Sequence, residues 1–291
     1  MEIRANKNFL SIRRIFIGLT ILGALQSLLG LIQFVSHKSL GLYFLGESFL
    51  SPLNKDLARV FIDGGRLLRA YGLFPHPNIL ATFLVLSLLS VYFLYNKKFL
   101  FLFVATIFIN WLGLILTFSR AGWIVGIMAS ALFLLINYNK DLLLIVFLTF
   151  VTLSLMFSWA IFPRVNFNYQ DFSVQNRLSD YQFAWEKIKE KPWFGHGLTF
   201  AMGERPIHNL YLTIAVEIGL VGFSLFLIFL IYLFIGNWPA SWRMEIGNLK
   251  IMLLALVLLG LFDHFLWTLR SGLIIFWLVS GLLLTSRVWR K

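Results

Sequence analysis

ILATFLVLSLLSVYFLYNKKFLFLFVATIFINWLGLILTF, residues 79–118, holds two long apolar runs separated by the polar stop Tyr95-Asn96-Lys97-Lys98. At 1.5 Å per residue each run is long enough to cross, or nearly cross, a hydrocarbon core about 30 Å thick. Two such runs joined by a short basic turn read as a transmembrane helical hairpin. Working outward, the pattern recurs at about 15–35, 79–95, 99–118, 121–138, 142–162, 209–236, 250–267 and 271–286. The expected fold is all-α: a polytopic integral membrane bundle of about eight transmembrane helices, forming a single domain over 1–291. Composition agrees, since 59% of the chain is hydrophobic and only 13% charged, about half the charge of a soluble protein. The first apolar stretch is followed by seven more and ends in no small-residue cleavage pattern, so it reads as a span, not a leader. With no cysteine in the chain, disulfides, zinc-thiolate sites, iron–sulfur clusters and a thiol nucleophile are excluded.

Orientation follows from Lys and Arg, which cytoplasmic loops retain. Arg4, Lys7, Arg13, Arg14, Lys97, Lys98, Lys140, Arg243, Lys250, Arg287, Arg290 and Lys291 fall on one side, which nets +9 against +4 on the other. Both termini are therefore expected in the cytoplasm. The high net charge of +12 is accounted for by this topology and by anionic headgroups. No stripe of basic and stacking aromatic residues points to nucleic acid.

Two segments on the opposite, extracytoplasmic side are too long for turns: 36–78 and 163–208. The second carries an amphipathic helix from about Arg177 to Lys191, with Leu178, Tyr181, Trp185 and Ile188 on one face. Asn176 is expected to cap its start and Pro192 to stop it. Such a helix lies in the membrane interface. Long loops in compact proteins are usually functional, so function is expected on the outer face.

Ionisable groups in or beside spans are costly and suggest function by default. Arg120, at the outer junction of spans three and four, either snorkels to mark a helix end or holds an anion, since its fork matches phosphate. His208 and Asn209 open the sixth span at the outer face, and a neutral imidazole there can act as a base. Glu217 lies nine residues on, about 13 Å deeper, placed to orient a base, pair with an arginine or form a structural pair. Asp263 and His264 sit near the outer end of span seven, with Arg270 beyond; Asp263 is the stronger candidate, because a carboxylate there needs a partner. His76 and the Gly195-His196-Gly197 turn read as loop geometry. No Asp-x-Asp or His-Glu-x-x-His pattern offers a metal site, no phosphate loop is present, and no Gly-x-Ser-x-Gly elbow supports a serine hydrolase. Neither metal nor cofactor is expected, so any diphosphate falls to arginine.

At these residues the chain resembles the O-antigen ligase and polymerase family of bacterial envelope glycosyltransferases. The most specific likeness is His208-Asn209, nine residues, then Gly219-Leu220-Val221-Gly222. Arg177-Leu178 through Trp185, with Pro192-Trp193-Phe194-Gly195-His196-Gly197, resembles the family's Arg…Trp…Pro-x-x-Gly-x-Gly stretch. Thr117-Phe118-Ser119-Arg120 is similar to its Ser-Arg motif, Pro75-His76-Pro77-Asn78 to its Pro-Asn helix start, and Asp263 to its acidic residue in a late span. Two departures stand out: ligases of this family resemble twelve-span proteins, and Arg177 is followed four residues later by Tyr181 where the family has Leu.

The resemblance implies glycosyl transfer from a polyprenyl (undecaprenyl) diphosphate carrier to an acceptor hydroxyl, outside a bacterial cytoplasmic membrane, metal-independent and inverting. The acceptor is a glycan or a lipid, as in lipopolysaccharide assembly. His208 takes the catalytic role, Arg120 and Arg177 the diphosphate, and Asn209, Glu217 and Asp263 support them. Two other readings stay open: an anion transporter, for bicarbonate for example, and a noncatalytic subunit whose partner membrane protein supplies the missing spans. Against transport, the sequence shows no clear inverted repeat and no obvious pair of broken helices.

Overall fold

The computed structural model describes residues 2–51, 57–62, 65–165, 172–235 and 243–288. The chain packs as two compact units, Met1–Asn166 and Phe167–Lys291.

In the first unit, α1 (Glu2–Ser36), α2 (Pro77–Leu94), α3 (Leu100–Leu116) and α4 (Arg120–Asn137) pack around α2, which is buried from Ile79 through Tyr92. A helix apolar on every side belongs in such a central place. Small residues bring the helices together, as in other membrane bundles. A Cβ at Gly23 would overlap the Ser87 hydroxyl, and one at Gly113 would overlap Ser27. α5 (Lys140–Met156) and α6 (Ser158–Val165) were expected as one straight span; they meet at an 85° bend.

The connection from α1 to α2 holds a two-stranded antiparallel hairpin absent from the sequence reading, β1 (Arg59–Ile62) with β2 (Gly65–Leu68), Arg59 opposite Leu68. The connection is fastened to α1 by buried side chains. Glu47 accepts hydrogen bonds from the Gln33 amide at 2.8 Å and from the backbone N–H groups of Leu40 at 2.7 Å and Leu42 at 2.6 Å.

The second unit comprises α7 (Phe172–Glu190), α8 (Phe200–Glu204), α9 (Leu210–Phe234), α10 (Arg243–Gly260), α11 (Phe265–Thr268) and α12 (Arg270–Val288). α7 starts earlier than expected, so Asn176 lies inside it and caps nothing, while Pro192 does follow its end. Ala184 turns inward onto Ala201, Ile207 and Val216, with Phe183 and Ile188 packed beside it. Leu178, Tyr181 and Trp185 of the expected stripe stay exposed; Ile188 leaves it because the small Ala184 lets that edge of the helix approach α9.

Two expected spans are broken. α9 contains Gly219 at φ 70° and ψ −178°, which no helix accommodates. The stretch expected as 250–267 stops being helical at Gly260 and resumes at Phe265. Five helices are long and apolar enough to cross a membrane, six if the bent α5–α6 pair counts as one. Ile246–Gly260 and Arg270–Thr285 are apolar but shorter. The protein is an integral membrane protein, though among the described residues the length test yields five or six spans, not eight.

Candidate active site

The break in α9 is closed by the loop that precedes it. Backbone N–H groups of His196 and Gly197 donate to the carbonyls of Val216 and Glu217 (both 2.9 Å). In return, Leu220 donates to the Pro192 carbonyl at 2.8 Å and Val221 to that of Trp193 at 3.3 Å. Groups orphaned by the helix break thus find partners in protein, as a membrane environment demands. Contact is so close that a Cβ at Gly195 would lie 2.5 Å from the Glu217 carbonyl, and one at Gly219 would overlap that of Trp193. Two glycines from separate motifs are therefore one feature. His196 belongs to this loop structurally, as expected: its Nε2–H donates to the Lys187 carbonyl at 2.9 Å, and its ring stacks on Phe200 at 4.4 Å.

The stitched loop and α7 together present His208. Its Nδ1 lies 2.7 Å from Oδ2 of Asp180, and its backbone N–H donates to the same oxygen at 3.3 Å. Asp180 is buried to 2% exposure, and its other oxygen accepts from Arg205 Nε at 2.8 Å; Arg205 also donates to Ser179. A carboxylate only accepts, so Nδ1 must carry the hydrogen, and a neutral His208 has its lone pair on Nε2. The His208 side chain is 43% exposed. The imidazole is thus held on one side and open to solvent on the other. Asp180 and Arg205 were missed as site residues: Asp180 reads as one more polar position on an amphipathic helix, and only the fold brings it 28 residues along the chain to His208.

The other residues divide. Asn209 caps α9, its Oδ1 accepting from Tyr211 and Leu212 N–H (both 3.0 Å), while its amide donates to the Leu261 carbonyl at 3.0 Å. Arg177 donates to the Phe262 carbonyl at 3.4 Å and sits over the Phe262 ring. These two side chains meet the carbonyls exposed by the break after α10. Asp263 Oδ1 accepts from the His264 N–H at 2.8 Å. His264, beyond the end of α10, has its ring 5.7 Å from that of His208, edge to face, and its Nδ1 lies 2.6 Å from the Thr268 hydroxyl. Burial pushes His264 below the usual histidine range, with neighbouring Asp263 opposing. Glu217 is buried and does not touch His208. Its Oε2 accepts from the Trp267 indole at 2.9 Å, and Oε1 meets no partner among the described residues. The carboxylate that holds His208 is Asp180.

An apolar cavity of about 320 Å³ opens beside these groups, lined by Leu210, Ile218, Phe226, Leu266, Trp267 and Phe276 among others. Leu210 and Leu266 are each two residues from an imidazole of the pair. Among the described residues no three His, Asp or Glu side chains converge as a metal-ligand set.

In the first unit, Ser119 caps α4 by accepting from Gly122 N–H at 3.2 Å, which puts Arg120 at the first helical position. Beneath it the buried Arg69 donates to the Thr117 carbonyl and to Asn78 Oδ1, the latter at 2.8 Å. Arg69 thereby joins the Ser-Arg and Pro-Asn motifs, a link no sequence spacing discloses. His76 caps α2 through Nδ1, accepting from Asn78 N–H at 3.2 Å, which is loop geometry as expected.

Apolar helices long enough to cross a membrane and a carboxylate-held histidine at a helix start together define an integral membrane protein with an ordered polar site. Residues 103–227, a little under half of the chain, match the family model described as O-antigen ligase. The matched segment holds Arg120, Arg177, Asp180, His208 and Gly219, and over it the chain is similar to the O-antigen ligase family. No curated protein matches the chain.

Proposed function

We propose that the protein transfers a glycan from a polyprenyl diphosphate carrier to an acceptor hydroxyl, with His208 as the general base. The observation that carries this reading is the Asp180–His208 contact, which leaves Nε2 aimed away from its anchor with a lone pair. Nε2 takes the proton of the acceptor hydroxyl as its oxygen bonds to the anomeric carbon. The bond from that carbon to the diphosphate breaks on the opposite face, inverting the centre and releasing polyprenyl diphosphate. Charge builds on the leaving diphosphate, where fixed cations are most effective. Arg177, on the same unit as His208, and Arg120, at a helix start, are the cations assigned to it. Their work replaces a metal. Asn209 and Asp263 act in support by holding the 261–264 break in shape, and Glu217 by anchoring Trp267.

The polyprenyl chain occupies the apolar cavity that begins at Leu210 and Leu266, so that its diphosphate end reaches the imidazole. The protein resides in the cytoplasmic membrane of a bacterium with both termini inside and the site outside, as the basic residues imply. Its substrates are the lipid-linked oligosaccharide and a glycan or lipid acceptor. Anion transport gains no support from the family match, and the carbonyls at the second break, which an ion path would use, are held by Asn209 and Arg177.

The test uses proteoliposomes with a polyprenyl-diphosphate-linked oligosaccharide and a mixed acceptor pool, with EDTA present. Mass spectrometry follows release of polyprenyl diphosphate. Release by the wild type and none by folded His208→Ala supports the reading; no release by the wild type with any acceptor overturns it.

A further inference from the structure

The loop that closes the α9 break also exposes a cluster of large apolar side chains. Trp193 is 65% exposed, Phe194 79% and Leu198 66%. Their side chains are turned outward while their backbone is held against α9. Beside them Leu220 and Val221 of α9 are exposed as well. Lys189 and Lys191, both exposed, immediately precede the loop, with Lys189 over the Trp185 ring at 5.1 Å.

Helix length says what covers this patch. Beyond the break at Gly219, Leu220–Phe234 rises about 21 Å, against about 30 Å of hydrocarbon. With Phe234 at the far boundary, the near boundary falls above Leu220, on the Leu210–Ile218 side of the break. Leu220, which the loop grips through Pro192, then lies about 9 Å below that boundary. This depth matches the 5–10 Å at which interfacial segments bury their apolar face. Lysines flanking an aromatic patch complete the pattern, since their long stems let them reach anionic headgroups.

We propose that Pro192–Leu198 is a membrane wedge: a loop that dips into the leaflet on the His208 side, with Trp193, Phe194 and Leu198 in acyl chains. The bilayer surface then crosses α9 within Leu210–Ile218, and His208, just before the start of α9, stands on its solvent side. The break at Gly219 lies below the surface, at the depth of the wedge. The wedge borders the lipid from which a polyprenyl-linked substrate would arrive, but the inference stands on helix length and exposure, independent of the reaction.

The chain has no cysteine, so single reporters can be placed without a background. Phe194→Cys and Leu198→Cys, and the comparators Gln182→Cys and Glu204→Cys on exposed polar positions, are each labelled with an environment-sensitive fluorophore. The proteins are placed in nanodiscs of phosphatidylethanolamine and phosphatidylglycerol, which leave both faces open to solvent. Quenching is measured with aqueous iodide and with doxyl-labelled lipid. The wedge requires iodide quenching at 194 and 198 at least threefold weaker than at 182 and 204, with doxyl quenching reversed. A smaller difference at both positions overturns it. The substituted side chains are exposed, and elution at the wild-type volume confirms that the variants fold.

Discussion

Asp180 holds both the ring Nδ1 and the backbone N–H of His208 with a single carboxylate oxygen, while its second oxygen is held by Arg205. Ring orientation and tautomer are thus set together by one buried group.

Asp180→Asn retains the shape but can present an N–H to Nδ1, turning the hydrogen to Nε2 and removing the lone pair that accepts the substrate proton. The expected result is a fall in kcat on the order of a hundredfold or more, with KM for the lipid-linked donor little changed. Steady-state transfer rates check it. Equal loss in kcat and in donor binding would assign Asp180 to the donor site instead.

Gly219→Ala and Gly195→Ala each place a methyl group against opposing backbone, at positions with φ near +70°. Each variant should lose about 2 kcal/mol or more of stability, through left-handed strain and overlap together. Gly203→Ala meets nothing within 4 Å and serves as the control. Thermal unfolding in detergent should lower Tm for the first two only.

Arg177→Lys keeps the charge but loses the planar fork that donates to the Phe262 carbonyl and is proposed to hold the diphosphate. Turnover should fall more than tenfold while the amount of folded protein in the membrane stays near wild type. Arg120→Ala is expected to behave alike. Normal turnover in either variant would remove that arginine from the diphosphate site.

Arg69→Met removes the buried donor that joins the Thr117 carbonyl to Asn78. Leaving those acceptors unmet should cost on the order of 3 kcal/mol. Proteolysis within residues 1–166 should accelerate, a readout a purely catalytic role would leave unchanged.

The lowered histidine range of His264 links stability to acidity. Above the unfolded value of about 6.5 both states are neutral there and no penalty exists. Below it the unfolded chain binds a proton that the folded one resists, so stability declines as the pH falls toward the folded value. His264→Phe should flatten this decline below about pH 6.5, measured by chemical unfolding at each pH.

The apolar runs, their polar stops and the motif order were readable along the chain, because hydrophobic length and local turn chemistry are written in consecutive residues. That was enough for an integral membrane helical bundle, for His208 at a helix start, for Arg120 at the junction of two helices, and for the likeness to the O-antigen ligase family. Where the reading failed, the cause was pairing at a distance. Gly219 looks tolerable in an apolar run until Gly195 is seen against it. The 250–267 stretch looks like a continuous helix until Asn209 and Arg177 are seen on its carbonyls. Asp180 and Arg69 carry no local mark, since a charged residue on an amphipathic helix or after a strand is ordinarily solvated. Their roles come from burial against partners 28 and 48 residues away. Hydropathy acts over a helix length and could be summed from the chain alone; hydrogen-bond geometry needs two backbones within 3 Å of each other, and only the folded chain brings them there.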